Sequence, residues 1–193
     1  VPHSALFIGD SYTVGARATA TANRWTSRLC AATGWTEYNY GVNGSGYQTG
    51  GDDNRTFLQQ VQKAISDGVS PDVVFVSGNR NDGSNTINPA AVFSLVRSTW
   101  PNAVLFVLPA LWDYVSVPDS LLQKAYDITT AARANQGHLI WGAWTWLYGD
   151  ASRIFTLDNG VKDMHPNDAG SHPFSFTHLT LPTLSPVCIP VVP

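Results

Sequence analysis

A single α/β domain, with a parallel sheet between two layers of helices, is the fold class that this sequence predicts. Short apolar segments with little polar alternation recur along the chain, which is typical of strands buried on both faces. Longer segments with apolar residues at helical spacing separate them, and this alternation favours parallel strands joined by right-handed crossovers. A length of 193 residues suits one domain.

The individual elements follow one another in a regular order. We predict strands at residues 5–8, 37–40, 72–77, 103–108 and 139–141. We predict helices at residues 23–32, 55–66, 89–99 and 120–135. Residues 72–77 form the clearest strand, and Pro89 suits the first turn of its helix, where no backbone N–H is needed. Together these elements predict a five-stranded parallel sheet in a three-layer α/β/α sandwich.

The end of the chain departs from this pattern. A closing helix over the sheet is expected there, but residues 171–193 contain five prolines, which oppose a regular helix. We therefore predict a folded domain of residues 1–170, followed by an irregular Pro-rich tail of residues 171–193.

Composition excludes several classes of function. The net charge is −3 and the basic residues are scattered, so a nucleic-acid partner is not expected. No apolar window of about 18 residues is present, so no transmembrane segment is predicted. The chain starts close to its first strand, without a basic and apolar leader, so we expect no signal peptide within it. A charged fraction of 13% and seven Trp are common in secreted proteins and favour an extracellular location.

The cysteines leave two interpretations open. Cys30 and Cys188 could form one disulfide or remain as two free thiols. Neither lies at a metal-ligand spacing, so no metal site is predicted. No pattern in the sequence indicates an oligomeric state.

Four polar segments follow predicted strands, and each carries one residue of possible chemical use: Ser11, Gly44, Asn81 and His165. Taken singly, each segment has a structural explanation as a helix cap, a flexible loop, an Asx turn or a structural histidine. Because ligands bind at the carboxyl ends of parallel strands, the four segments are expected to meet at one edge of the sheet.

The four residue types suit one kind of chemistry. A serine hydroxyl is a weak nucleophile until a base removes its proton, and histidine is the natural base near neutral pH. We therefore predict Ser11 as nucleophile and His165 as base. A developing oxyanion needs fixed donors, which the Ser11 N–H, the Gly44 N–H and the Asn81 side-chain amide could supply.

These segments resemble the SGNH/GDSL hydrolase family in order and spacing over about residues 4–170. Residues 7–11, which read Phe-Ile-Gly-Asp-Ser, match its nucleophile segment. Gly44, Asn81-Asp82 and His165-Pro166 match the other three segments. The resemblance implies a flavodoxin-like fold and ester hydrolysis through an acyl-enzyme, with no metal or organic cofactor.

Two departures from the family pattern concern the site. Asn79 stands where the third segment has glycine, with Gly78 one place earlier. The family places its acid three residues before the histidine, where this chain has Lys162. Asp163 or Asp158 could take that role, or a backbone carbonyl could orient the imidazole of a Ser–His dyad. We favour Asp163.

The substrate prediction is a small-molecule or glycan ester with a short acyl group or an acetylated sugar. Arg80 could bind a polar substrate or pair with Asp82, and Trp112 could line an acyl or sugar pocket or pack in the core. Two other functions stay open. One is an O-acyltransferase using the same residues, and the other is a carbohydrate-binding domain with impaired catalysis.

Overall fold

The computed structural model describes residues 3–176, and side chains as far as residue 172. Its main sheet contains five parallel strands in the order β2-β1-β3-β4-β5. These strands are β1 (Ser4–Gly9), β2 (Thr36–Asn39), β3 (Val73–Ser77), β4 (Val104–Leu108) and β5 (His138–Leu139). The predicted five-stranded parallel sheet is confirmed, with each strand displaced by no more than a few residues from its predicted range.

Both faces of the sheet are buried, as the continuous apolar strands predicted. Leu6 and Ile8 of β1 face one core, while Ala5 and Phe7 face the other. On the second face, Phe7 stacks on Phe75 of β3 with ring centroids 5.0 Å apart. Phe75 in turn stacks on Phe106 of β4, so one row of aromatic rings crosses three strands at matched register.

Helices cover both faces and complete the three layers. They are α1 (Ser11–Val14), α2 (Trp25–Thr33), α3 (Phe57–Ser66), α4 (Pro89–Thr99), α5 (Asp119–Ala134) and α6 (Asp168–Phe176). Apolar residues of α3, α4 and α5 pack on the Leu6 face, and those of α2 pack on the Phe7 face. The α/β/α sandwich is thereby confirmed. None of the helices in the described part of the chain is long and apolar enough to cross a membrane.

A small antiparallel hairpin outside the main sheet was missed by the sequence analysis. It pairs β6 (Ile154–Thr156) with β7 (Lys162–Pro166). The sequence placed His165 in a loop, but the structure places it on β7. Both strands are short, with three and five residues, and β7 is mostly polar, so no apolar alternation marks them.

The C-terminal prediction needs a second correction. Residues 171–176, predicted to be irregular, continue helix α6 as far as Phe176. The helix is begun by Asn167, whose side chain accepts from the Gly170 N–H at 2.9 Å and whose carbonyl accepts from the Ser171 N–H at 2.9 Å. Inside a helix a proline removes one backbone hydrogen bond and its ring crowds the carbonyl four residues earlier, but α6 packs against α2, and we attribute the tolerance of Pro173 to this packing.

Residues 177–193, with the remainder of the predicted tail and Cys188, lie outside the described residues. Cys30 is buried in α2 and forms no disulfide with any residue between 3 and 176.

Candidate active site

The nucleophile candidate lies at the carboxyl end of β1, an inner strand of the sheet. Ser11 is the first residue of α1, which follows β1 directly. Asp10 caps this helix, since its Oδ1 accepts from the Tyr12 N–H at 3.0 Å. Position 9, before Asp10, requires glycine, because a Cβ there would come within 2.1 Å of Thr13 Oγ1. The tight strand-to-helix turn therefore presents the Ser11 side chain at the edge of the sheet.

A buried glutamine fixes this turn from behind. Gln60 of α3 accepts from the Gly9 N–H at 2.9 Å and donates to the Gly9 carbonyl at 3.1 Å. Its amide also donates to Ser45 Oγ at 2.9 Å, in the loop that carries Gly44. Gln60 thus links the nucleophile turn to the glycine loop through one fully buried side chain.

Ser11, His165 and Asp163 form a continuous hydrogen-bonded chain. The Ser11 Oγ lies 2.8 Å from His165 Nε2, and His165 Nδ1 lies 3.0 Å from Asp163 Oδ1. A carboxylate can only accept, so His165 Nδ1 carries the proton and its Nε2 accepts from the Ser11 hydroxyl. This is the tautomer in which an imidazole can take a proton from a serine.

The surroundings keep His165 in its neutral form. Burial lowers its pKa, the Asp163 carboxylate acts against this, and the positive charges of Arg17 and Arg80 act in the same direction as burial. The net result is a pKa below the ordinary value of 6.5. At neutral pH the ring is therefore free to accept a proton.

Asp163 is held as an ionised carboxylate beside the histidine. Burial acts to raise its pKa, but hydrogen bonds from Arg17, the Met164 N–H and His165 outweigh this and lower the pKa below 3.8. Asp158 lies exposed in the turn between β6 and β7. Lys162, at the position of the family's acid, donates from Nζ to Thr156 Oγ1 at 2.8 Å. Of the residues considered, the structure therefore puts Asp163 against the ring.

The predicted oxyanion donors line the same pocket as Ser11 and His165. This pocket has a volume of about 370 Å³ and is also lined by Gly44 and Asn81. Asn81 Nδ2 donates one hydrogen to the Ser45 carbonyl at 2.8 Å, and an amide carries a second hydrogen. Within residues 3–176, neither the Ser11 nor the Gly44 N–H donates to a protein acceptor. Gly44 has a φ of +71°, which favours glycine at that place.

The buried Asp82 carboxylate arranges the glycine loop around these donors. It accepts from the backbone N–H groups of Tyr47, Gln48 and Thr49, at 2.9, 2.8 and 3.2 Å. Gly46 packs against it so closely that a Cβ there would come within 2.5 Å of Asp82 Oδ1. The loops after β2 and β3 therefore form one hydrogen-bonded unit.

The chain matches the model of the GDSL-like lipase/acylhydrolase family over residues 7–172. It belongs to this family. The match includes all four segments singled out in the sequence. Membership of this family supports a hydrolytic enzyme.

Solved structures show the same fold at low sequence identity. A member of the lipolytic protein G-D-S-L family from Veillonella parvula is 16% identical with a TM-score of 0.65, covering 94% of this chain and 99% of that one. A family two carbohydrate esterase from Clostridium thermocellum, in complex with cellohexaose, is 15% identical with a TM-score of 0.62, covering 91% and 62%. A salicylyl-acyltransferase from a tetracycline biosynthetic pathway is 13% identical with a TM-score of 0.66, covering 91% and 52%. No curated protein matches the chain.

Arg80 and Trp112 lie outside the pocket of this GDSL-family site. Both line a neighbouring cavity of about 210 Å³. Arg80 pairs with Asp113 at 3.1 Å, not with Asp82, and its guanidinium lies 3.8 Å from the centre of the Trp112 ring. The alternative pairing of Arg80 with Asp82 is therefore wrong, because Asp82 is occupied by three backbone donors.

Three residues that contact this site were missed by sequence reasoning. Arg17 binds Asp163, the Tyr12 hydroxyl donates to the Met164 carbonyl at 2.6 Å, and Gln60 holds Gly9. Their partners are 51 to 152 residues away in the chain, so no local spacing connects them. A glutamine among the apolar residues of α3 is a weak signal that could have indicated a buried polar contact.

Proposed function

We propose that this protein is a carboxylic ester hydrolase that forms an acyl-enzyme on Ser11. The observation that supports this most strongly is the unbroken hydrogen-bonded chain from Asp163 through His165 to Ser11. Ser11 and His165 line a pocket that is also lined by Gly44 and Asn81, so three donors suited to an oxyanion lie beside the nucleophile. Nucleophile, base and orienting acid in this arrangement are what ester hydrolysis through serine requires.

In the proposed first step, His165 Nε2 takes the Ser11 proton while Oγ attacks the ester carbonyl carbon. The tetrahedral oxyanion accepts hydrogen bonds from the Ser11 N–H, the Gly44 N–H and the Asn81 amide. The imidazolium then gives its proton to the alkoxide oxygen, and the alcohol leaves. Asp163 stays ionised and stabilises the positive charge on His165 during both transfers.

In the second step, water replaces the alcohol. His165 takes a proton from the water as it attacks the acyl carbon, and the resulting intermediate collapses to release the acid. The proton on His165 returns to Ser11 Oγ as the acyl–oxygen bond breaks. The low pKa of His165 supports this role, because the ring must return to its neutral form after each transfer.

The pocket favours short acyl groups or acetylated sugars as substrates. It is small, and of its lining residues only Ala16 and Met164 have apolar side chains. A long acyl chain would find little apolar surface there, whereas an acetyl group needs little. The likeness to the carbohydrate esterase from Clostridium thermocellum favours a sugar alcohol. We propose that the neighbouring cavity, with Arg80 and Trp112, binds the polar alcohol part of the ester.

The proposal is tested by the variant Ser11→Ala on p-nitrophenyl acetate and butyrate. We expect kcat to fall at least about 10⁴-fold, since removal of a serine nucleophile leaves only the contribution of binding and the oxyanion donors. The exposed serine variant Ser84→Ala is the matched control and should retain activity. Unchanged turnover in Ser11→Ala would remove Ser11 from the reaction.

Two measurements separate this function from the alternatives. A fluorophosphonate probe should label wild-type protein and not Ser11→Ala, whereas a binding domain without catalysis would not be labelled. Product analysis with an added acceptor alcohol distinguishes hydrolysis from acyl transfer. Free acid as the main product supports a hydrolase, and a new ester as the main product supports an O-acyltransferase.

A further inference from the structure

We propose that Arg17 is a positioning residue, which holds the Asp163 carboxylate in the orientation that serves His165. This inference rests on the proposed function of the Ser11 site. It assigns a role to a residue that no segment of the family pattern contains, and it accounts for an acid two residues before the histidine.

The strand geometry explains why Asp163 can reach the histidine. Both residues lie on β7, and alternate residues of a strand point to the same face. Lys162, three residues before His165, points to the other face and binds Thr156 Oγ1 and the Ile154 carbonyl. On a strand, an acid must therefore stand two residues from its histidine and not three.

Each oxygen of the Asp163 carboxylate has its own partners. Oδ1 accepts from His165 Nδ1 at 3.0 Å and from the Met164 N–H at 2.5 Å. Oδ2 accepts from Arg17 Nε at 2.5 Å. Arg17 thus fixes the rotation of the Asp163 carboxylate about the Cβ–Cγ bond, which keeps Oδ1 directed at the imidazole.

Arg17 also connects the two parts of the site. It follows α1, six residues after Ser11, and its guanidinium lies 5.1 Å from the centre of the Phe155 ring on β6. The Arg17 side chain therefore contacts both β6 and β7, and it belongs to the same segment of the chain as Ser11. The side chain of Asp163 is 10% exposed, whereas that of Arg17 is 41% exposed and itself lines the pocket.

The charges around His165 determine what removal of Arg17 should do to the pH dependence. The groups that face the ring are Asp163 on β7, Tyr12 on α1, and the cations Arg17 and Arg80. Arg17 acts to lower the pKa values of both Asp163 and His165. Without its charge both pKa values should rise, so the acid limb of the kcat/KM profile should move to higher pH.

The experiment compares Arg17→Met and Arg17→Lys by kcat, KM and the pH profile of kcat/KM on p-nitrophenyl acetate. We expect Arg17→Met to lower kcat about 100-fold, as a misplaced catalytic group does, while KM changes by only a few-fold. Its acid limb should move to higher pH. Arg17→Lys should restore the position of the acid limb and part of kcat, because it keeps the charge but not the Nε contact.

The matched control is Arg153→Met. Arg153 is 39% exposed and pairs with Asp150 at 3.0 Å near the hairpin, so its loss weakens the same region without touching Asp163. It should keep the wild-type pH profile. In a background of Asp163→Asn, the change Arg17→Met should cause little further loss, because both changes act on one interaction.

Two results would overturn the role of Arg17. One is wild-type kcat in Arg17→Met. The other is a fall in activity that follows thermal stability, with the acid limb of the profile unmoved. If Ser11→Ala and Asp163→Asn lose activity in the same assays, the proposed function stands and only the role of Arg17 fails. If both of those variants stay active, the proposed function itself fails.

Discussion

The candidate site joins two regions of the molecule that are held in different ways. Ser11, Gly44 and Asn81 follow β1, β2 and β3, and buried groups such as Gln60 and Asp82 hold their loops. Asp163 and His165 lie on the β6–β7 hairpin, outside the main sheet. The hairpin and the adjoining α6 meet the nucleophile segment through side chains, including Tyr12 to the Met164 carbonyl and Thr19 to Asp168.

Because the two regions are held differently, we expect substitutions on the sheet side to affect stability and substitutions on the hairpin side to affect mainly the rate of catalysis. On the sheet side, the groups that orient the reacting atoms also satisfy buried backbone donors and acceptors, so their loss should lower the stability of the protein. On the hairpin side, the orienting groups are partly exposed and interact mainly with each other. Changes there should reduce the rate and leave most of the folding free energy in place.

Among the groups that orient His165, the largest effect on rate is expected for Asp163→Asn. The asparagine leaves the shape unchanged but removes the charge that selects the histidine tautomer, so kcat should fall by about 10³ to 10⁴-fold. The control is Asp158→Asn in the exposed turn, which should stay near wild type. Kinetics on p-nitrophenyl acetate measure both. Equal activity in the two variants would favour a Ser–His dyad instead.

A smaller loss of rate is expected on the sheet side for Asn81→Ala. Removal of one oxyanion donor typically lowers kcat by about 10² to 10³-fold. The variant also loses the bond to the Ser45 carbonyl, so its unfolding should be followed by urea titration. Asn85→Ala, an exposed position in the same loop, is the control. A fall in activity no greater than that of the control would argue against Asn81 as a donor.

The contrast in stability is tested by Gln60→Leu against Tyr12→Phe. Gln60→Leu leaves the buried N–H of Gly9 without its partner and should lower the free energy of unfolding by about 3 kcal/mol. Tyr12→Phe removes the bond to the Met164 carbonyl and a contact with Arg80, and should cost about 1 kcal/mol. Urea unfolding of both variants gives the comparison. A larger loss from Tyr12→Phe would show that the hairpin carries more of the stability than its partial exposure suggests.

The sheet and the residues at its edge were predictable from the sequence. Strands buried on both faces are continuous apolar segments, and parallel strands bring their carboxyl ends to one edge. For that reason Ser11, Gly44 and Asn81 could be assigned to one site without coordinates. The helices of residues 89–99 and 120–135 were predictable for a similar reason, because each carries an apolar face at helical spacing.

The hairpin and its contacts were decided by the tertiary structure. The strand β7 is a polar segment without its own apolar pattern, and it is a strand because it pairs with β6 beside α1. That pairing places Asp163 and His165 on one face and brings Arg17, 146 residues away in the chain, to the carboxylate. The sequence by itself determined which residue types were present and the sheet edge at which three of them meet. Only the packing of distant segments made residues 162–166 a strand and brought Arg17 to Asp163, because polar contacts over such separations leave no period in the sequence.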